Sequence, residues 1–217
     1  MANQSRERTA DAVASQPRTI YLTAYNVLFA SLWASVFVRA ISNVQNGKFE
    51  LFDATEPYAR WIQTASLIEV FHAAFGIIKS PVSTTALQVV TRVIQVWMVW
   101  YSFPQSTADS RAYLTLLLAW SVADTIRYLY LALNMHGKAS RGMVWLRYTM
   151  FYPLYPIGIG AEWWLLYQAI APGAKISPMI PPVFYFCLLL YIPGSHTMYT
   201  YMIKQRRKTL NTARKTQ

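Results

Sequence analysis

Residues 112–133 read AYLTLLLAWSVADTIRYLYLAL. Only Asp124 and Arg127 carry charge in this stretch, and its apolar residues come in runs rather than in strict alternation. In hydrocarbon only helices and closed barrels satisfy their backbone groups. A run of about 20 mostly apolar residues without a two-residue period therefore reads as a helix that can cross a bilayer. Five more segments of this kind lie at approximately 20–38, 60–78, 84–103, 144–170 and 183–203. The expected fold is all-α: a polytopic membrane protein whose domain, 19–204, is a bundle of six transmembrane helices. A polar stretch at 1–18 is expected to be a disordered cytoplasmic tail, and 205–217 a basic cytoplasmic tail.

Composition agrees. Of the 217 residues, 54% are hydrophobic and only 13% are charged, where a soluble domain carries about a quarter. Mean hydropathy is positive, +0.22. Such a chain has too much apolar surface to stay disordered, and with Cys187 as its sole cysteine it is no disulfide scaffold. Residues 1–18 do not make a signal peptide, because the apolar run that follows is about the length of a full span and lacks a clear small-residue cleavage site. The net charge of +11 would suggest nucleic acid in a soluble protein; here it fits basic loops on the cytoplasmic side, or an anionic ligand.

Six spans put both termini on one side. That side holds Arg6, Arg8, Arg18, Lys79, Lys138, Arg141, Lys204, Arg206, Arg207, Lys208, Arg214 and Lys215, against Arg39, Lys48, Arg60, Arg111 and Lys175 on the other. The bias places both termini in the cytoplasm. The ending Arg214-Lys215-Thr216-Gln217 reads equally as a dibasic retrieval signal for the endoplasmic reticulum or as a basic tail near anionic lipid.

The ionisable residues left inside the spans are Glu69, His72, Arg92, Asp124, Arg127, Arg147 and Glu162. Each charge near a bilayer centre costs roughly 2.5–3.5 kcal/mol on insertion scales, so they should face the interior and pair. Asp124 and Arg127, three apart, can pair on one helix face, as a structural or a catalytic couple. Arg92 and Arg147 have no carboxylate of their own helix in reach, and Glu69 is the expected partner from another helix. Glu69-Val70-Phe71-His72 has the Glu-x-x-His spacing of two-metal bundle sites, but such sites need a second copy and further carboxylates, and this chain has no second copy. No metal site is expected, and His72 should instead bond to a neighbour in the interior. Cysteine phosphatase chemistry fails too, because six places after Cys187 stands Pro193, where a phosphate loop needs arginine.

The fifth segment contains Arg147-Tyr148-Thr149-Met150-Phe151-Tyr152-Pro153-Leu154-Tyr155-Pro156-Ile157-Gly158-Ile159-Gly160-Ala161-Glu162. At 100° per residue, Tyr155 and Glu162 return to within about 20° of each other, roughly 10 Å apart along the axis. Pro153 and Pro156 each remove a helical hydrogen bond, leaving a kink that is either cavity-lining or simple packing. No basic residue of the same helix lies within a turn of Glu162, which makes it a candidate acid or base beside a phenol that can donate.

Taken in order, several blocks resemble the very-long-chain 3-hydroxyacyl-CoA dehydratases of the endoplasmic reticulum, once described as protein-tyrosine-phosphatase-like. They are Glu69-Val70-Phe71-His72 through Gly76, Thr84-Thr85-Ala86-Leu87-Gln88-Val89 with Arg92, Ala119-Trp120-Ser121 through Arg127-Tyr128, Trp145-Leu146-Arg147-Tyr148-Thr149, and Leu154-Tyr155-Pro156-Ile157-Gly158 through Glu162. The resemblance runs from Tyr25-Asn26 to Gln205-Arg206-Arg207-Lys208, with one departure: Asp124 stands where glutamate is expected.

The resemblance implies a catalytic pair, Tyr155 and Glu162, in a Tyr-Pro-x-Gly-x-x-x-Glu segment. It also implies that Arg92, Arg127, Arg147 and Gly158, with Asp124 beside them, support activity or integrity. The implied reaction is the third step of fatty-acid elongation, loss of water from a (3R)-3-hydroxyacyl-CoA to give the trans-2-enoyl-CoA. It needs no metal or redox cofactor, CoA being part of the substrate. The implied partners are membrane lipid, the condensing enzyme, the ketoacyl reductase and the enoyl reductase, with no nucleic acid, in the endoplasmic reticulum membrane. Such chemistry needs a base for the proton alpha to the thioester, an acid for the beta-hydroxyl and a donor for enolate charge. Glu162 is taken as the base and Tyr155 as the donor to the leaving hydroxyl, with the reverse assignment open. A proton-coupled transporter, which would also keep a mid-membrane glutamate and a broken helix, and a non-catalytic scaffold of the elongation machinery are the alternatives.

Overall fold

The computed structural model describes the backbone of residues 2–215 and the side chains of residues 16–209; most of the tail expected over 1–18, and the end of that over 205–217, lie outside the described side chains. Among the described residues all regular structure is helical. The helices are α1 Ala2–Asn43, α2 Lys48–Ala65, α3 Ile68–Ala74, α4 Val82–Ile94, α5 Pro104–Asp109, α6 Arg111–Met135, α7 Arg141–Thr149, α8 Phe151–Ile176 and α9 Ile180–Lys215. Three stretches are long and apolar enough to cross a membrane: Gln16–Asn43, Val82–Tyr101 and Arg111–Met135.

Local chemistry sets the boundaries. Ser110 and Ser140 accept from the backbone N–H of Ala112 and Met143, capping α6 and α7. Beyond α6, Gly137 takes φ +65°, and the N–H of Lys138 returns to the Leu133 carbonyl at 3.0 Å, a closure that suits glycine. Pro81 precedes α4 and stops any continuation from α3. The run 82–101 changes gauge midway: Gln95–Tyr101 is a π-helical turn that buries Val96, Val99 and Trp100 together.

Two boundaries depart from the apolar pattern. The helix leading into the second segment begins at Lys48, twelve residues before the expected 60, because its polar early residues make local pairs such as Glu56 with Arg60 at 2.6 Å. It is then interrupted between α2 and α3. Ser66 Oγ donates to the Gln63 carbonyl at 2.6 Å, and Glu69 and Val70 bond three residues back, tightening the turn. In the fifth segment the break falls at Met150, between α7 and α8. Pro153 has no N–H to give the Thr149 carbonyl, whereas Pro156, Gly158 and Gly160 lie inside a continuous α8.

α6 lies between α1 and α8, α2 packs against α1 and reaches α6 through Phe52 and Thr55, and α9 packs along α8. The core is aromatic: Trp100 meets Trp120 at 5.3 Å and Tyr113 at 5.1 Å between centroids, and Trp33 meets Trp120 edge-on. The Tyr113 hydroxyl shares a 2.8 Å hydrogen bond with Thr55 of α2. At one end Arg18 Nε donates to the Ile77 carbonyl and Thr23 bonds His136; at the other, Lys48 pairs with Asp109. Outward faces are strongly apolar, including Phe71, Phe75, Phe186, Leu189 and Ile192, a surface that suits lipid rather than water.

Replacing Trp100, which has no exposed surface, by alanine is expected to cost about 3–5 kcal/mol. Trp145→Ala, on an exposed side chain, should stay within about 0.5 kcal/mol. Thermal unfolding of the two purified variants in detergent checks the contrast.

Candidate active site

Four charged side chains meet across three helices. Asp124 and Arg127 project from α6, Arg92 from the last turn of α4, and Glu69 from α3. Arg92 Nη2 reaches Asp124 Oδ2 at 2.6 Å. Arg127 donates to Glu69, whose other carboxylate oxygen accepts from the Tyr128 hydroxyl. The same-helix pair expected from the sequence, Asp124 with Arg127, is the longer contact at 3.8 Å. Glu69 therefore answers Arg127 rather than Arg92 or Arg147, because α3 delivers its carboxylate to α6 while Arg92 is already held by Asp124. Arg147, in the last turn of α7, lies beside the Tyr148 ring at 5.8 Å and has no ion pair among the described residues.

Glu162 is buried on α8, with only 8% of its surface exposed, and both its oxygens are held. Trp120 Nε1 of α6 donates to Oε1 at 2.9 Å, and the Tyr191 hydroxyl of α9 donates to Oε2 at 3.1 Å. The Arg92 guanidinium lies 4.0 Å over the Trp120 ring, so the ion-pair cluster and Glu162 share one indole. Gly158, one turn before Glu162, faces that indole; a β-carbon there would stand 4.0 Å from the Trp120 ring, ordinary contact distance.

Tyr155 is half-buried two turns before Glu162 on the same continuous helix. Its ring stacks on Tyr199 of α9 with centroids 5.7 Å apart, and its hydroxyl donates a long bond, 3.4 Å, to the Ser195 carbonyl. α9 thus presents Tyr191, Ser195 and Tyr199, spaced four apart, to the stripe of Tyr155, Gly158 and Glu162 on α8. Of these partners, Tyr191, Ser195 and Tyr199 are not singled out by the sequence, since a tyrosine in an apolar run gives no sign of what it faces.

The Glu69–His72 spacing does not converge on one point. His72 Nε2 bonds the Tyr21 hydroxyl at 2.8 Å while Glu69 turns to α6, and among the described residues no three His, Cys, Asp or Glu side chains gather as a metal would need. Cys187 is a half-buried free thiol.

Residues 63–212 match the family described as "Protein tyrosine phosphatase-like protein, PTPLA". The chain is similar to a probable very-long-chain (3R)-3-hydroxyacyl-CoA dehydratase of Schizosaccharomyces pombe, 37% identical over 87% of this chain and 91% of the relative. It is also similar to the Caenorhabditis elegans very-long-chain (3R)-3-hydroxyacyl-CoA dehydratase hpo-8, 37% identical over 88% and 94%, and to the Arabidopsis thaliana dehydratase PASTICCINO 2, 34% identical over 91% and 96%. No solved structure matches. A family match across most of the helical domain, with relatives aligned over nearly their whole length, leads to one conclusion: this chain belongs to the protein tyrosine phosphatase-like family, PTPLA.

Proposed function

We propose that this chain is a hydro-lyase that removes water from very-long-chain (3R)-3-hydroxyacyl-CoA, the reaction for which its relatives are named, giving the trans-2-enoyl-CoA in the third step of fatty-acid elongation. The observation that carries the reading is Glu162: a buried carboxylate, oriented at both oxygens, on the same α8 face as Tyr155. In the proposed reaction Glu162 takes the proton from the carbon alpha to the thioester. The bond from the beta-carbon to its hydroxyl breaks as Tyr155 supplies a proton, so that the hydroxyl leaves as water. The proton on Glu162 then restores the phenol, and both groups are reset without a cofactor.

Arg92, Asp124 and Arg127 serve this scheme by holding α3, α4 and α6 in register, since a thioester offers no carboxylate for an arginine to clamp. Gly158 brings the α8 face up to the Trp120 ring, beside Glu162. Arg147, without an ion pair among the described residues, would stand near the cytoplasmic start of this segment. The CoA head would lie among the basic groups at that end, such as Lys79, Lys138 and Arg141, with the acyl chain inside the bundle. The partners proposed are membrane lipid and the other elongation enzymes: condensing enzyme, ketoacyl reductase and enoyl reductase.

We also infer six crossings, in the endoplasmic reticulum membrane, with both termini cytoplasmic. The three beyond Gln16–Asn43, Val82–Tyr101 and Arg111–Met135 would be α2 with α3, α7 with α8, and α9. Exposed apolar side chains on α9 at 185, 186, 189, 190 and 192 and the cytoplasmic excess of Lys and Arg support this arrangement.

Dehydration of a long-chain 3-hydroxyacyl-CoA by purified protein in detergent tests the chemistry. Tyr155→Phe and Glu162→Gln should each lower turnover by about 10²–10⁴-fold; full activity in both would remove the site, and an inactive, well-folded wild type would favour a transporter or scaffold. Asp124→Ala strands Arg92 and should cost about 3–5 kcal/mol of stability, whereas Arg92→Met combined with Asp124→Leu should recover most of it; unfolding midpoints decide. For topology, single cysteines are placed in a Cys187→Ser background and probed in sealed microsomes. Lys138→Cys should label at once and Gln105→Cys only after permeabilisation, the reverse pattern showing opposite orientation.

A further inference from the structure

Glu162 has two donors, and one of them, Tyr191, has no task in the reaction described above. The terminal torsion of a glutamate is broad, so a carboxylate held at one oxygen can still rotate. Here Trp120 holds Oε1 from α6 at 2.9 Å and Tyr191 holds Oε2 from α9 at 3.1 Å. Two donors on two helices define the plane of the carboxylate. Each oxygen still has a lone pair beyond the one in use, so the group is oriented without being consumed.

The two phenols of this face are engaged differently. Tyr155 donates to the Ser195 carbonyl, at 3.4 Å, and stacks on Tyr199; it is Tyr191 that bonds Glu162. Removing the Tyr155 hydroxyl therefore leaves the hydrogen bonds of Glu162 in place, whereas removing the Tyr191 hydroxyl frees one oxygen. Trp120 is itself pinned from behind by the Arg92 guanidinium at 4.0 Å, which makes Tyr191 the sole tie between Glu162 and α9 among the described hydrogen bonds.

We propose that Tyr191 is a positioning residue for the dehydration, fixing the Glu162 carboxylate from α9 so that one of its free lone pairs meets the alpha proton of the bound acyl-CoA. The proposal rests on the reading of Glu162 as the group that takes that proton.

The test uses full-length protein in detergent and a (3R)-3-hydroxyacyl-CoA carrying hydrogen or deuterium at the alpha carbon. Tyr191→Phe keeps the ring and removes only the hydroxyl, and equal unfolding midpoints establish that the bundle is intact. A small misplacement of a reacting group can cost about a hundredfold, so kcat should fall by about 10- to 100-fold with KM little changed. The deuterium isotope effect on kcat should rise as proton removal becomes slower. Adding Tyr191→Phe to Glu162→Gln should bring no further loss, because the group being positioned is already gone. Wild-type kcat and isotope effect in Tyr191→Phe, with Glu162→Gln inactive, would overturn the positioning role alone. Losses that multiply in the double variant would overturn it as well, by showing that Tyr191 acts independently of Glu162. An active Glu162→Gln would remove the assignment of Glu162 and this proposal with it.

Discussion

A charge carried into hydrocarbon has to be answered by another charge, and α6 brings in two. The alternation of Glu69, Arg127, Asp124 and Arg92 makes the set neutral and spreads it over α3, α4 and α6. None of these helices can turn about its axis without leaving a partner uncompensated, a loss far larger than that of an ordinary packing contact. Apolar packing alone would tolerate several rotations of each helix. The charges select one, and the indole cluster of Trp33, Trp100 and Trp120 fills the space that this choice leaves.

The candidate site is an extension of that constraint. Arg92 holds Asp124 through its Nη2 and covers the Trp120 ring with its guanidinium face, and Trp120 points its N–H at Glu162. Position is thereby handed from an ion pair to an indole and from the indole to a carboxylate. Low local dielectric strengthens each link in such a chain and raises the cost of leaving any member unsatisfied. Neither Arg92 nor Asp124 bonds to Glu162, yet both bear on its position through this chain of contacts.

Legibility in the sequence followed the range of the interaction. Helices were readable from runs of apolar residues, and the common face of Tyr155 and Glu162 was readable from helical periodicity, because both depend on one segment alone. The break before Pro153 was visible in kind, though its place at Met150 depends on which carbonyl loses its donor. The early start of α2 was hidden by its polarity. Which arginine meets which carboxylate was not readable, since Glu69 and Arg127 are joined by the packing of α3 on α6 and not by spacing. Tyr191 is one of 15 tyrosines, and only the alignment of α9 along α8 sets it apart from those that face outward.

The hydrogen bonds to Glu162 come from helices far apart in the chain: α6 supplies Trp120, and α9, synthesised after both α6 and α8, supplies Tyr191. A chain translated only as far as Ile176 lacks the Tyr191 donor, leaving Glu162 with Trp120 alone of the two donors described. α9 is thus both a wall of the bundle and the source of the second donor to Glu162. A nascent chain stalled before α9 would present an unmet hydrogen-bond acceptor within its apolar helices, the kind of flaw by which quality control distinguishes an unfinished membrane protein from a finished one.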